Sequence, residues 1–140
     1  MKLVVDTNIV TAALIRDSVT RKILLDPRIS AYVPEHFLGE IEGHREYIVK
    51  KSGLSDREFI MILNGVISKL TIVPMNDFKD CMPRAFNVMN RIDEDDTPFI
   101  ALAISFDNDG IWTQDEHFDR QHMVPIWKTA DLLKIMGTEE

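Results

Sequence analysis

Four carboxylates stand at positions where they could work together: Asp6, Glu40, Asp96 and Asp115. They are far apart along the chain, so only the fold could bring them to one place. If it does, the group is costly by itself, because like charges repel and an unpaired buried carboxylate loses several kcal/mol of hydration. Hard cations remove that cost. An all-oxygen cluster suits Mg²⁺ or Mn²⁺, which keep some waters and accept substrate phosphate oxygens as further ligands. One such ion, or two about 3.5–4 Å apart, can activate a water and stabilise the leaving oxygen of a phosphodiester. That chemistry needs no covalent nucleophile, and no persuasive Ser-His-Asp or Cys-His arrangement is present.

The elements that would position these acids alternate. Lys2–Val5, Ala31–Val33, Thr71–Val73, Ile111–Thr113 and Val124–Trp127 are short runs rich in β-branched or aromatic residues and predict strands. Helical patterns lie between them. Asn8 to Arg16 is almost wholly apolar, and Ser18 can N-cap a second helix through Leu25, with Pro27 just beyond. Pro34 suits the first turn of a third helix, expected to run to about Lys51 and stop at Gly53. Ser55 and Glu58 form a capping box for a fourth, to Leu70, with Phe59, Ile62, Leu63, Val66, Ile67 and Leu70 on its apolar face. Further helices are expected over Lys79–Asn90, Thr97–Phe106 and Thr129–Met136. Strands separated by helices predict right-handed βαβ crossovers and a parallel sheet of four to five short strands. The expected fold is a three-layer α/β/α sandwich forming one domain over residues 1–140.

In such sheets the ligand crevice lies outside the carboxyl ends of the strands. Asp6 directly follows the first strand, and Asp115 comes two residues after the fourth. Glu40 is expected in the second turn of the helix after the second strand, off the stripe made by Phe37, Leu38, Ile41 and Ile48. Asp96 precedes the helix that feeds the fourth strand, and such a helix starts at the same edge. Thr97 with Pro98 is expected to serve as that helix's cap, leaving Asp96 free. Each acid also has a structural role open to it. Asp6 could cap the first helix, Glu40 could be a solvated helix residue, and Asp115 could start a short turn through Phe118.

Composition narrows the partners. The 140 residues are 45% hydrophobic and 28% charged, ordinary for a globular protein. Cys81 is the single cysteine, which excludes an internal disulfide framework and a Cys-based zinc site. The longest apolar stretch, Phe99 to Phe106 with Ser105 inside it, is far short of the roughly 20 residues that span a bilayer. Met1 to Val5 turns acidic at Asp6, too soon for a signal peptide, so the expected compartment is the cytoplasm. Net charge is −7, and it is uneven: residues 1–70 hold ten Lys/Arg against nine Asp/Glu, residues 71–140 six against fourteen. Such an acidic half argues against nucleic-acid binding driven mainly by phosphate neutralisation. It fits either a solvated face or a cation site.

Val5-Asp6-Thr7-Asn8, Pro34 to Glu40 (PEHFLGE), Asp95 to Ala103 (DDTPFIALA) and Trp112 to Phe118 (WTQDEHF) together resemble the PIN domain, over essentially the whole chain. PIN domains are metal-dependent ribonucleases, many of them toxins of VapBC-type toxin–antitoxin pairs. The resemblance implies a Mg²⁺ or Mn²⁺ site of Asp6, Glu40, Asp96 and Asp115, with Thr113 as a supporting hydroxyl and Asn8 near a metal-bound water. It implies hydrolysis of single-stranded RNA to a 5′-phosphate and a 3′-hydroxyl, a cognate antitoxin protein, and a homodimer. Asp93, Glu94, Asp95 and Asp96 are adjacent, and the following T-P-F-I-A-L-A points to Asp96, with Asp93 or Asp95 as an assisting acid. Glu116 or Asp119 matches a further acid that the family often carries.

Other residues carry weaker signals. His44 lies four residues after Glu40 but reads as a surface histidine; His117 is open between a substrate contact and a turn-start contact; His36 and His122 have no constellation. Met61, Met75, Met82, Met89, Met123 and Met136 read as core filler, and Trp112 and Trp127 as core. Arg16, Arg21, Lys22, Arg45, Lys50 and Lys51 are the candidate phosphate contacts. Three rival functions compete. An aspartyl-phosphate enzyme would want a second acid where Asn8 stands, a receiver-type switch would want a pair of acids at Asp6, and a silent RNA-binding module would not need the four acids. Within the nuclease reading, a housekeeping RNA-processing role competes with the toxin.

Overall fold

The computed structural model describes residues 1–15 and 19–137. Five parallel strands form one sheet: β1 (Lys2–Val5), β2 (Ser30–Pro34), β3 (Leu70–Val73), β4 (Ile111–Trp112) and β5 (Ile126–Trp127), in the order β3-β2-β1-β4-β5. Strand alternation splits the core in two. Leu3, Val5, Ala31, Val33 and Trp112 face one layer, while Val4, Tyr32 and Ile111 face the other. Against the first face pack α1 (Thr7–Ile15), α2 (Val19–Leu25), α3 (Phe37–Gly43), α4 (Arg45–Ser52), α5 (Asp56–Ile67) and α8 (Thr129–Gly137). Against the second pack α6 (Met82–Met89) and α7 (Thr97–Ser105). The three-layer α/β/α sandwich is therefore the observed architecture.

Several expectations need correction. The third helix does not begin at Pro34, which ends β2 paired with Val73. Nor is it continuous: at His44 the backbone turns to φ −104°, ψ 4°, and α3 gives way to α4. Gly43, with its low helix propensity, sits just before the break. The stop at Gly53 is observed, with φ 70°. Both halves of the Ser55–Glu58 capping box form, but α5 ends at Ile67 and Leu70 opens β3. Lys79–Cys81 is a 3₁₀ turn ahead of α6. Leu38 and Met61 are 44% and 67% exposed, so neither belongs to an apolar core face. Arg16 and the Ser18 cap lie outside the described residues. Among the described residues no helix is long and apolar enough to cross a membrane.

Strand order places the switch point between β1 and β4, since chain connections leave to opposite sides there. Val5 pairs with Trp112, and the backbone N–H of Asp6 donates to the Trp112 carbonyl at 3.1 Å. Thr113 continues that ladder, its N–H donating to the Trp127 carbonyl at 3.1 Å. Gly110 sets up β4 with φ 128°, and a Cβ there would lie 2.3 Å from the Pro125 carbonyl oxygen. The position tolerates only glycine.

Candidate metal centre

Two acids are fixed by the switch point. Asp6 is 4% exposed, and its Oδ2 accepts a hydrogen bond from Thr113 Oγ1 at 2.8 Å. The same Thr113 hydroxyl accepts from the Asp115 backbone N–H at 3.0 Å, so one buried threonine ties the Asp6 carboxylate to the backbone of Asp115. Burial pushes the Asp6 carboxyl above its ordinary value. The Thr113 bond and the Asn8 N–H oppose that, while the charges of Asp115 and Glu40 add to it. Asn8 itself is exposed. Asp115 precedes the 3₁₀ turn Glu116–Arg120 and accepts from the His117 N–H at 2.9 Å, so its turn-start role is real as well.

Glu40 arrives from the first turn of α3 and not the expected second, because the helix starts at Phe37 and not at Pro34. Thr7 Oγ1 donates to its Oε1 at 2.7 Å. His36 Nε2 lies 3.2 Å from that oxygen, close enough for an ion pair but without the alignment of a hydrogen bond. Burial raises the Glu40 carboxyl, yet the His36 and Thr7 contacts and the fields of His36 and His44 outweigh it, so the net direction is down. Thr7 was not singled out in the sequence, and the expectation that His36 has no constellation is corrected by its approach to Glu40. The spacing of four between His36 and Glu40 was the available signal.

Asp96 completes the group. It holds the N-cap position of α7, where Thr97 was expected, and Thr97 instead occupies the first helical position. The Asp96 side chain makes no capping bond, so it stays free as anticipated. Its Oδ2 is buried with no hydrogen-bond donor among the described residues. Burial, then the charges of Asp6, Asp93, Asp115 and Glu40, push its carboxyl up to about 7. The charges of Asp6, Asp93, Asp115 and Glu40 thus all reach Asp96.

Asp93 caps the turn Glu94–Asp96 by accepting from the Asp95 N–H at 3.1 Å. One oxygen of Asp93, one of Asp96 and a ring nitrogen of His117 lie within 4.8 Å of one another. Asp95 is exposed, and so is Glu116. Asp119 is engaged elsewhere, 3.1 Å from Lys128 Nζ. Trp112 is fully buried, whereas Trp127 is only partly so and donates from Nε1 to the Asp109 carbonyl at 2.7 Å.

The donor set fits a hard divalent cation. It is dominated by carboxylate oxygens, and its one orphaned buried oxygen, Asp96 Oδ2, is otherwise an unmet acceptor. No curated protein matches the chain. A family model described as PIN domain does, over residues 4–135. PIN domains are generally nucleases. A match running from inside β1 to inside α8 takes in the sheet and every acid discussed above, and on it the chain belongs to the PIN domain family.

Proposed function

We propose that this protein is a metal-dependent endoribonuclease that hydrolyses phosphodiester bonds in single-stranded RNA. Asp6, Glu40, Asp96 and Asp115 would hold Mg²⁺ or Mn²⁺, with Thr113, Asn8 and Asp93 in support. The observation that carries this reading is Asp96: a partly buried carboxyl, one oxygen without a donor, facing four other acids. A structure gains nothing from that arrangement unless a cation is held there.

The bound ion would supply an activated water and a counter-charge for the leaving oxygen. The chain's own residues prepare for it. Thr113 orients Asp6, while Thr7 and His36 both address Oε1 of Glu40, whose Oε2 has no partner among the described residues. With its carboxyl pushed up to about 7, Asp96 is about half protonated near neutral pH, and the proton must leave for it to become a ligand. For the RNA, α4 offers exposed Lys50, Lys51 and Tyr47, the last 55% exposed with Lys51 Nζ 5.9 Å from its ring centroid. Arg45 is partly committed, lying over the Phe59 ring at 5.4 Å.

Membership of the PIN family supports the further reading that this is the toxin of a VapBC-type pair, acting in the cytoplasm as a homodimer and neutralised by a cognate antitoxin. Exposed Tyr47, Ile60 and Met61 on α4 and α5 offer apolar surface for such contacts. Growth arrest on expression, relieved by the product of an adjacent gene, tests the toxin role. Harmless expression of an active enzyme would overturn it. For the chemistry, Asp96→Asn should lower Mn²⁺-dependent cleavage of a labelled single-stranded RNA by about a hundred-fold or more. Retained cleavage in that variant, or full cleavage with a chelator present, would refute the metal mechanism.

A further inference from the structure

One metal-binding side chain at this centre has no role in the reading above. His117 is the second residue of the 3₁₀ turn after β4, and its Nδ1 lies 3.3 Å from Asp115 Oδ1 and 3.5 Å from Asp93 Oδ2. Its place is fixed on both sides. The His117 N–H is held by Asp115, and the next residue, Phe118, is fully buried and packs edge-on to Phe99 of α7 with centroids 6.2 Å apart. Asp93 divides its oxygens between two tasks: Oδ1 accepts the Asp95 N–H, and Oδ2 faces the imidazole.

A structural account would make His117 a counter-ion for Asp93 and Asp115. The distances speak against that as its whole role. A charge-assisted hydrogen bond closes to about 2.7–2.9 Å, and one ring N–H cannot serve both carboxylates. Beside them Asp96 Oδ2 has no donor among the described residues. The oxygens of Asp93 and Asp96 and the ring nitrogen of His117 are gathered within 4.8 Å of one another. Donors on a single octahedral ion at about 2.1 Å stand roughly 3 Å apart when adjacent and about 4.2 Å when opposite. Small side-chain rotations would bring the set to that spacing.

We infer that His117 is a nitrogen ligand which, with Asp93 and Asp96, holds a divalent cation at the margin of the acid centre, and that it biases the centre toward Mn²⁺ and similar transition ions over Mg²⁺. The inference rests on the reading of Asp96 as a cation ligand. Imidazole binds transition ions well, whereas Mg²⁺ prefers oxygen.

Pulsed electron paramagnetic resonance of Mn²⁺ added to the full chain tests it. The bound ion should show the ¹⁴N modulation of a directly coordinated imidazole. H117A should abolish that modulation and weaken Mn²⁺ binding at least about ten-fold, with Mg²⁺ affinity changed by less than about three-fold. H122A, at an exposed histidine away from the centre, should leave both unchanged. Bound Mn²⁺ without nitrogen modulation in the wild type, or modulation that survives in H117A, would overturn the inference. Because the wild-type spectrum is decisive by itself, poor folding of H117A does not shield it. The nuclease reading survives that failure if D96N still loses Mn²⁺ and cleavage. If D96N binds Mn²⁺ as the wild type does, both readings fall.

Discussion

Asp96→Asn is expected to make the metal-free protein more stable while it destroys activity. The Asp96 carboxyl moves from an ordinary 3.8 to about 7, because burial and four neighbouring acids disfavour its charged form. At 1.36 kcal/mol per pH unit, that displacement corresponds to about 4 kcal/mol. The side chain is only partly buried, so water screens part of the repulsion, and about 2 kcal/mol is the effect to expect. Asparagine keeps the shape and removes the charge. For a chain of 140 residues, about 2 kcal/mol is a rise of roughly 4–8 °C in Tm.

The pH dependence fixes the cause. An acid whose folded pKa is raised keeps its proton in the native state after the unfolded state has lost it. From pH 3.8 to about 7 the native protein therefore binds more protons, and its stability falls as pH rises through that window. Below the window Asp96 is neutral in both states and the variant has no advantage. Above it the advantage is complete. Thermal unfolding of both proteins in chelator at pH 4, 6 and 8 measures the difference, and most other titrations cancel between them. Mn²⁺ should then reverse the order, since an ion at a hundred times its Kd stabilises the wild type by about 2.7 kcal/mol and the variant far less. A variant less stable than wild type at pH 8 in chelator, or an advantage that does not change with pH, would refute the reasoning.

Two further substitutions probe what holds the acids in place. Thr113→Val removes a fully buried hydroxyl that donates to Asp6 at 2.8 Å and accepts from Asp115 at 3.0 Å. It should cost about 1–3 kcal/mol by urea denaturation. Because the lost bond lowers the Asp6 carboxyl, the acidic limb of the cleavage profile should also move to higher pH; unchanged stability and an unchanged profile would show that the hydroxyl is idle. Gly110→Ala puts a Cβ 2.3 Å from the Pro125 carbonyl oxygen at φ 128°, and should lose at least about 2 kcal/mol. A near-normal unfolding midpoint would mean that the β4–β5 pairing is far softer than it looks.

Much of the fold was legible because its signals are local. Lys2–Val5 alternates between two buried layers, and the Ser55–Glu58 box is a reciprocal contact within one turn. The four acids were legible for a different reason: strand ends and the starts of strand-feeding helices share one rim, so topology alone places them. What escaped depended on side-chain direction or on where a helix bends. A period of 3.6 puts both His36 and His44 one turn from Glu40, and the sequence pattern cannot choose between them. The bend leaves His44 at the junction of α3 and α4, while His36, just ahead of α3, lies against Phe99 with ring centroids 5.3 Å apart and reaches Oε1. Pro34 misled because its φ suits a strand end as well as a first helical turn. Met61 misled because an apolar residue type says little about exposure on a helix with only one covered face.

The rigidity beneath the centre explains why its repulsion is not simply relaxed away. Asp6 and Thr113 follow paired residues of adjacent central strands, tied by the Asp6 N–H to Trp112 and by the Thr113 N–H to Trp127. Trp112 has no exposed surface, and its Nε1 is bonded to Thr129 Oγ1 at 3.0 Å. Moving either residue outward would break ladder bonds and open space around that ring. Asp96, Asp93 and Glu40 instead come from helix starts and turns, which have more freedom to adjust. The metal-free centre should therefore be relieved from the helix side, by protonation of Asp96 and by shifts of the Asp93–Asp96 turn, while Asp6 and Thr113 stay where the sheet holds them. Hydrogen exchange in chelator and in Mn²⁺ should then differ at residues 93–97 and remain constant at residues 4–6 and 111–113; protection changing first in β1 and β4 would show that the sheet, not the turn, absorbs the strain.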